Sequence, residues 1–186
     1  MKTTELLIAS IFEAQFRQLA YESTIGHPDW LALDQGTIEL SQAIENAQRR
    51  ADLDTEKISE VYAQTPVHLA PAPGITALIG QLAQSFPLYV LSNMHLHSWD
   101  YLKSHHQFWK HFSGLLISSH ERLLKPDQAI YQRLCERYNL DPAECVFFDD
   151  TQKNIDAAIE FGLHAIKIHS AQDAHLTIKH YLETRS

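Results

Sequence analysis

The run Cys145-Val146-Phe147-Phe148, closed by Asp149-Asp150 and followed by Thr151-Gln152-Lys153-Asn154-Ile155, constrains this chain more than any other stretch. Consecutive large apolar residues do not suit a half-exposed strand, whose two faces would alternate. They suit one covered on both sides, as in a parallel sheet flanked by helices. Ending such a strand on two carboxylates, just before a helix, sets charge at the carboxyl edge of the sheet, where ligands of open α/β folds collect.

The remainder of the chain supplies matching elements. After Pro87, Leu88-Tyr89-Val90-Leu91 is a second short apolar run, and Leu115-Leu116-Ile117-Ser118 a third. A fourth runs from Ala165 to Ile168. Helical spacing predicts helices around 75–85, from Pro126-Asp127 through Tyr138, over 156–161 with Gly162 as terminator, and over 171–182. The fold class expected is α/β with a parallel sheet.

Residues ahead of this region read differently. Leu7, Ile8, Ile11, Phe12, Phe16 and Leu19 recur at helical spacing over 4–20, with Thr3 or Thr4 available as N-cap. Gly26-His27-Pro28 breaks the pattern, a second helix is expected from about Thr37, and a third over 54–63. The proline-rich stretch 65–74 then connects the two halves, giving a helical subdomain over 3–72 and a sheet-bearing core over 73–186.

Composition closes several other routes. A chain of 186 residues with 45% hydrophobic and 20% charged side chains is ordinary globular material for one domain with a small accessory subdomain. Its net charge of −8, with no basic cluster beyond Arg49-Arg50, argues against nucleic-acid binding. No apolar run approaches the ~18 residues of a membrane span, and the amino-terminal residues lack a secretory core, so a soluble cytoplasmic protein is expected. Cys135 and Cys145 sit in apolar patterns and read as buried reduced thiols. A homo-oligomer is left open.

The chemistry begins with Asp149-Asp150. Carboxylates at a strand end are hard oxygen ligands for Mg²⁺, which retains waters and accepts substrate phosphate oxygens. Asp150 is the better direct ligand, with Asp149 and Asn154 supporting it by hydrogen bonds. The same pair would also serve simply to cap the next helix. Ser92-Asn93 offers a hydroxyl and backbone N–H groups for phosphate, or just a strand-end turn. Lys125 offers an ammonium to a phosphate at the sheet edge, or a solvated surface charge. His95, His97, His105, His106 and His111 invite a transition-metal reading, but their spacings define no coordination set. Tyr21, His27 and Trp30 are candidates for substrate contact or for aromatic packing.

In their order, Leu91-Ser92-Asn93, Lys125-Pro126-Asp127 with Ile130-Tyr131, and Phe147-Phe148-Asp149-Asp150 with Asn154-Ile155 and Ala158 resemble motifs two to four of the haloacid dehalogenase superfamily. The likeness is to its small-cap phosphatases, such as α-D-glucose-1-phosphate phosphatase and the phosphatase domain of epoxide hydrolases. It implies a Rossmann-like core, a helical cap, Mg²⁺ as cofactor, and hydrolysis of a small phosphorylated metabolite, a sugar phosphate before others, through an aspartyl-phosphate. It also implies phosphate binding by Ser92, Asn93 and Lys125, with Lys125 orienting the nucleophile, and metal binding by Asp150.

Motif one, a strand ending in the nucleophilic Asp, is not found. Asp34-Gln35-Gly36-Thr37 mimics it but lies among helices and lacks the second Asp, and Glu13 and Asp29 fit no better. The expectation is a chain truncated just after motif one, lacking a central strand between those that end at Ser92 and Asp150. Such a protein should be poorly stable unless another segment fills the gap, and impaired as a catalyst. Alternatives are a non-catalytic pseudophosphatase that binds a ligand or protein partner, and, less favoured given the two carboxylates, a 2-haloacid dehalogenase.

Overall fold

The computed structural model describes residues 3–69, 71, 74–170 and 174–184. The chain divides into two compact units. One joins the residues up to 70 with 93–107 and 117–122; the other is made of 71–92, 108–116 and the chain from 123 onward. By compactness, therefore, two segments from the sheet-bearing half group with the amino-terminal helices. The final helix was expected from 171, but 171–173, like positions 72 and 73 of the proline-rich connection, lie outside the described residues.

The first unit is helical: α1 (Thr3–Ile11), α2 (Arg17–Ser23), α3 (Pro28–Gln35), α4 (Leu40–Arg50), α5 (Thr55–Gln64), α7 (Leu96–His105) and α8 (Ser118–Glu121). The single helix expected over 4–20 is broken. Glu13 is extended, and Arg17 turns back to donate from Nε to the Phe12 carbonyl at 3.0 Å and from Nη2 to Ala9 at 3.3 Å. These bonds satisfy carbonyls that the end of α1 leaves open. The break turns Phe16 and Leu19 out of the core, at 41% exposure each, while Leu7, Ile8, Phe12 and Ala20 are buried.

α3 was not foreseen, although its punctuation is in the sequence. His27 caps it by accepting the Asp29 N–H, Pro28 opens it, and Gly36 closes it at φ 71°. The Gly36 and Thr37 N–H groups bond back to Leu33 and Ala32, a left-handed C-terminal cap that glycine enters without steric cost. The helix expected from Thr37 consequently begins at Leu40. Ala43 and Ala47 of α4 and Ile58, Val61 and Tyr62 of α5 complete this core.

The second unit carries the strands. β1 (Tyr89–Ser92) pairs with β2 (Gly114–Ile117), and β3 (Val146–Asp149) with β4 (His164–Lys167). β3 and β4 run parallel, from Val146 opposite His164 to Asp149 opposite Lys167, joined by α10 (Gln152–Phe161). α6 (Ile75–Leu82), α9 (Gln128–Tyr138) and α11 (Ala174–Glu183) complete the unit. One hydrophobic cluster serves both strand pairs: Leu91 and Leu116 pack with Ile130, Tyr131 and Leu134 of α9, and with Ala158 and Leu163.

The architecture is α/β and Rossmann-like, with a sheet in two pieces. Among the described residues no strand joins β1 to β3: Glu13 is a single extended residue between α1 and a 3-10 turn, and Asp29 and Asp34 lie in α3.

Candidate active site

β3 delivers Asp149 to a place where its carboxylate meets three donors. Oδ2 accepts Lys125 Nζ at 2.7 Å, and Oδ1 accepts the Thr151 N–H at 2.8 Å and Asn154 Nδ2 at 2.9 Å. The Lys125 and Asp149 side chains are 9% and 7% exposed. Lys125 is thus no solvated surface charge: its ammonium also donates to the Leu91 carbonyl at 2.8 Å and lies 5.3 Å from the centroid of the Phe147 ring. In this way one side chain ties the end of β1 to the end of β3.

Asn154 is in place because α10 starts at Gln152 and brings its third residue back over the strand end. Tyr131, buried in α9, donates its hydroxyl to the Asn154 carbonyl at 2.9 Å. Burial, reinforced by the nearby Asp149 charge, holds that phenol well above its ordinary pKa, so it stays a neutral donor. The helix-cap reading of the carboxylates is not what forms. The N-cap of α10 is Thr151 with no side-chain cap bond, and neither carboxylate occupies that position.

Asp150 differs from its neighbour. It is exposed, and Oδ1 accepts the Thr151 hydroxyl at 3.2 Å. Asn154 Oδ1 is buried without a hydrogen-bond partner. An exposed carboxylate and, four residues on in the chain, a buried, unpartnered amide oxygen are oxygen donors of the kind that fits Mg²⁺, which takes few protein ligands and keeps its waters. Among the described residues no group of three His, Cys, Asp or Glu side chains is placed to hold a metal. Ser92 is the last residue of β1 and half-buried; Asn93, next in the chain, belongs to the first unit.

The histidines that can be followed have other neighbours. The His95 and His97 rings stack with centroids 6.3 Å apart, and His105 stacks on Tyr101 at 3.9 Å. His95 is 2% exposed and caps α7, its Nδ1 accepting the Ser98 N–H at 3.3 Å and its Nε2 lying 2.9 Å from Ser98 Oγ. Burial, then the neighbouring His97, pull its pKa down to about 4, so the ring is neutral and free to accept. Trp30 packs between Tyr62 and His95, Tyr21 is exposed, and His27 is spent on capping α3.

Asp34 is the residue the sequence undervalued. It is 8% exposed, and its carboxyl receives the His95 backbone N–H and the Trp30 side chain, while desolvation raises its pKa to about 7. Its carbonyl accepts Ser118 Oγ at 2.5 Å, and Ser118 Oγ in turn accepts the Met94 N–H at 2.8 Å. A Cβ on Gly36 would stand 2.3 Å from the Ser119 carbonyl oxygen, so α3 and α8 meet closely there. Nothing in the sequence signals this partnership beyond an Asp two residues before a helix-ending Gly.

The model of the haloacid dehalogenase-like hydrolase family matches residues 4–162. The sesquiterpene phosphatase astK of Aspergillus oryzae is 26% identical over 140 residues, which is 75% of this chain and 71% of that protein. The bifunctional epoxide hydrolase 2 of Mus musculus is 27% identical over 122 residues, 63% of this chain but 22% of that much longer protein. A HAD family enzyme of Bacteroides thetaiotaomicron, solved with magnesium and inorganic phosphate, superposes with a TM-score of 0.63 at 20% identity, covering 74% of this chain and 73% of that one.

Proposed function

The chain belongs to the haloacid dehalogenase-like hydrolases, and we propose that the end of β3 is a Mg²⁺-dependent site for the phosphate group of a small phosphorylated metabolite. The arrangement around Asp149 carries this reading. Lys125, Thr151 and Asn154 occupy that carboxylate, which leaves Asp150 as the exposed oxygen ligand beside it. Asp150 would hold the metal, Asn154 and Asp149 would fix the loop that presents it, and Ser92 and Asn93 would donate to phosphate oxygens, with Lys125 supplying positive charge. Bound there, Mg²⁺ would neutralise phosphate oxygens and so favour attack at phosphorus.

Turnover is a separate matter from binding. Among the described strands only β3 ends in a carboxylate, and Asp149 in it already pairs with Lys125. Glu13 is exposed and Asp34 is buried among helices. The reading is therefore of a chain that binds phosphate and turns it over poorly, and the pseudophosphatase alternative rests on this same observation. Sugar phosphates lead the substrate classes by resemblance, and a terpenyl phosphate follows because the Aspergillus oryzae relative is a sesquiterpene phosphatase.

Titrating the chain with inorganic phosphate, with and without Mg²⁺, tests the site by calorimetry. Binding that requires Mg²⁺ and disappears in Asp150→Ala supports it, and metal-independent binding unaffected by that change overturns it. Parallel assays on an aryl phosphate, a hexose phosphate and a prenyl phosphate should give release near background. Rapid release abolished by Asp150→Ala would keep the metal site and refute the impaired-catalyst reading.

A further inference from the structure

The turn that follows Ser92 carries a candidate phosphate ligand, Asn93, and its next two residues are held from one place. The Met94 N–H donates to Ser118 Oγ at 2.8 Å, Ser118 Oγ donates to the Asp34 carbonyl at 2.5 Å, and the His95 N–H donates to the Asp34 carboxyl. Asp34 thus anchors two successive backbone N–H groups, one through its main chain and one through its side chain. It sits at the carboxyl end of α3, whose course is fixed by the left-handed Gly36 and by close approach to Ser119. The imidazole of His95 continues the lock by capping α7 through Ser98 and by packing edge-on to Trp30, with ring centroids 5.3 Å apart.

We propose that Asp34 is a positioning residue that, through His95 and Ser118, holds residues 93–95 in the one backbone form able to present Asn93 to a phosphate. The assignment rests on the phosphate-site reading above for its functional consequence, but the latch has its own structural readout. A free turn of this kind samples many backbone states, and fixing each residue costs conformational entropy. Hydrogen bonds on two consecutive N–H groups remove that freedom before any ligand arrives, which is preorganisation of the binding turn. A carboxyl is not required for the chemistry of the latch. An amide oxygen at the same position accepts the same two donors, so Asn should substitute for Asp while Ala should not.

The experiment uses the whole chain in four forms: parent, Asp34→Ala, Asp34→Asn and Ser118→Ala. Amide hydrogen exchange at Met94 and His95 is followed by NMR, and inorganic phosphate affinity with Mg²⁺ by calorimetry. Asp34→Ala, which removes the carboxyl but keeps the main-chain carbonyl that holds Ser118, should speed exchange at His95 at least tenfold, at Met94 less, and weaken phosphate binding about tenfold. Asp34→Asn should restore both to within about threefold of the parent. Ser118→Ala, which keeps the buried carboxyl and so guards against a general loss of folding, should speed Met94 and leave His95 slower than in Asp34→Ala. If exchange at His95 rises in Asp34→Ala no more than it does across α4 and α5, or if Asp34→Asn is as fast there as Asp34→Ala, the latch is refuted. A parent that binds no phosphate refutes the site reading, and the exchange pattern alone then decides the latch. Raised exchange with unchanged phosphate affinity refutes the positioning role.

Discussion

Replacing Lys125 by Met would expose how much of the second unit depends on one ammonium. The substitution keeps an unbranched side chain of similar length beside Phe147 but removes the donor to Asp149 Oδ2 and to the Leu91 carbonyl. Asp149 retains Thr151 N–H and Asn154 Nδ2, so it stays hydrogen-bonded while losing its counter-charge at 7% side-chain exposure. Removing one partner of a buried pair costs about 3–5 kcal/mol, because the survivor keeps its desolvation penalty without the attraction that offset it. Against a typical total of about 5–15 kcal/mol this is a large fraction. With a urea dependence of about 1–3 kcal/mol per molar, the unfolding midpoint should fall by roughly 1–5 M, with about 2 M at the middle of both ranges.

The double variant Lys125→Met/Asp149→Asn separates charge from packing. An asparagine Oδ1 can still accept from Thr151 and Asn154, but no buried charge remains. The double variant should therefore recover to within about 1–2 kcal/mol of the parent, giving a strong favourable coupling between the two positions. Urea unfolding followed by far-ultraviolet circular dichroism measures all three proteins. A single variant within about 1 kcal/mol of the parent, or a double variant no more stable than the single, would refute the view that Lys125 and Asp149 form an energetically coupled buried pair.

Asp34→Asn should change how stability varies with pH. The folded carboxyl titrates near 7 rather than 3.8, so the folded chain binds that proton more tightly, and the parent loses stability as pH rises from about 4 to about 7. The loss totals about 4 kcal/mol and is flat above that window; the Asn variant lacks it, so unfolding at a series of pH values should show the variant gaining steadily on the parent up to pH 7. His95, depressed to about 4, acts in the opposite sense, losing its contribution as pH falls from 6.5 toward 4, but it is common to both proteins and cancels in the difference. Gly36→Ala should destabilise by more than about 1 kcal/mol in thermal unfolding, since φ is 71° and the new Cβ would meet the Ser119 carbonyl oxygen. Tyr131→Phe should cost about 0.5–1.5 kcal/mol through loss of the bond to the Asn154 carbonyl, read from the same unfolding curves.

The sheet-bearing half was legible because its strands are short, continuous apolar runs, each bounded by a breaker, and all four lie within a residue of where the pattern puts them. The helical half was less so. Its period was right, but helix ends depend on which side chain finds an orphaned carbonyl or N–H. That Arg17 would fold back on α1, or that His27 would cap α3, is a matter of local competition that periodicity does not encode. In the candidate site, residue types at strand ends marked Ser92, Lys125, Asp149 and Asp150. What they do to one another was hidden, since whether Lys125 faces solvent, phosphate or Asp149 depends on contacts more than twenty residues away in sequence.

The most consequential of those contacts places two demands on Lys125. Isolated two-stranded sheets are marginal in water and need packing or a neighbour to persist. Here β1–β2 and β3–β4 share a helical floor through Tyr131 and Leu134, and at their carboxyl ends Lys125 reaches both the Leu91 carbonyl and Asp149. If this ammonium also meets a phosphate, the anion either shares it with Asp149 or draws it away from Leu91. In the first case binding adds to a network already formed, and Lys125→Met loses affinity and stability together. In the second, each bound phosphate loosens the tie between the two strand pairs, that cost is carried in the measured affinity, and Lys125→Met loses more stability without phosphate than with it. Measuring the stability lost in Lys125→Met with and without saturating phosphate distinguishes the two, and the buried, doubly bonded position of Nζ favours sharing.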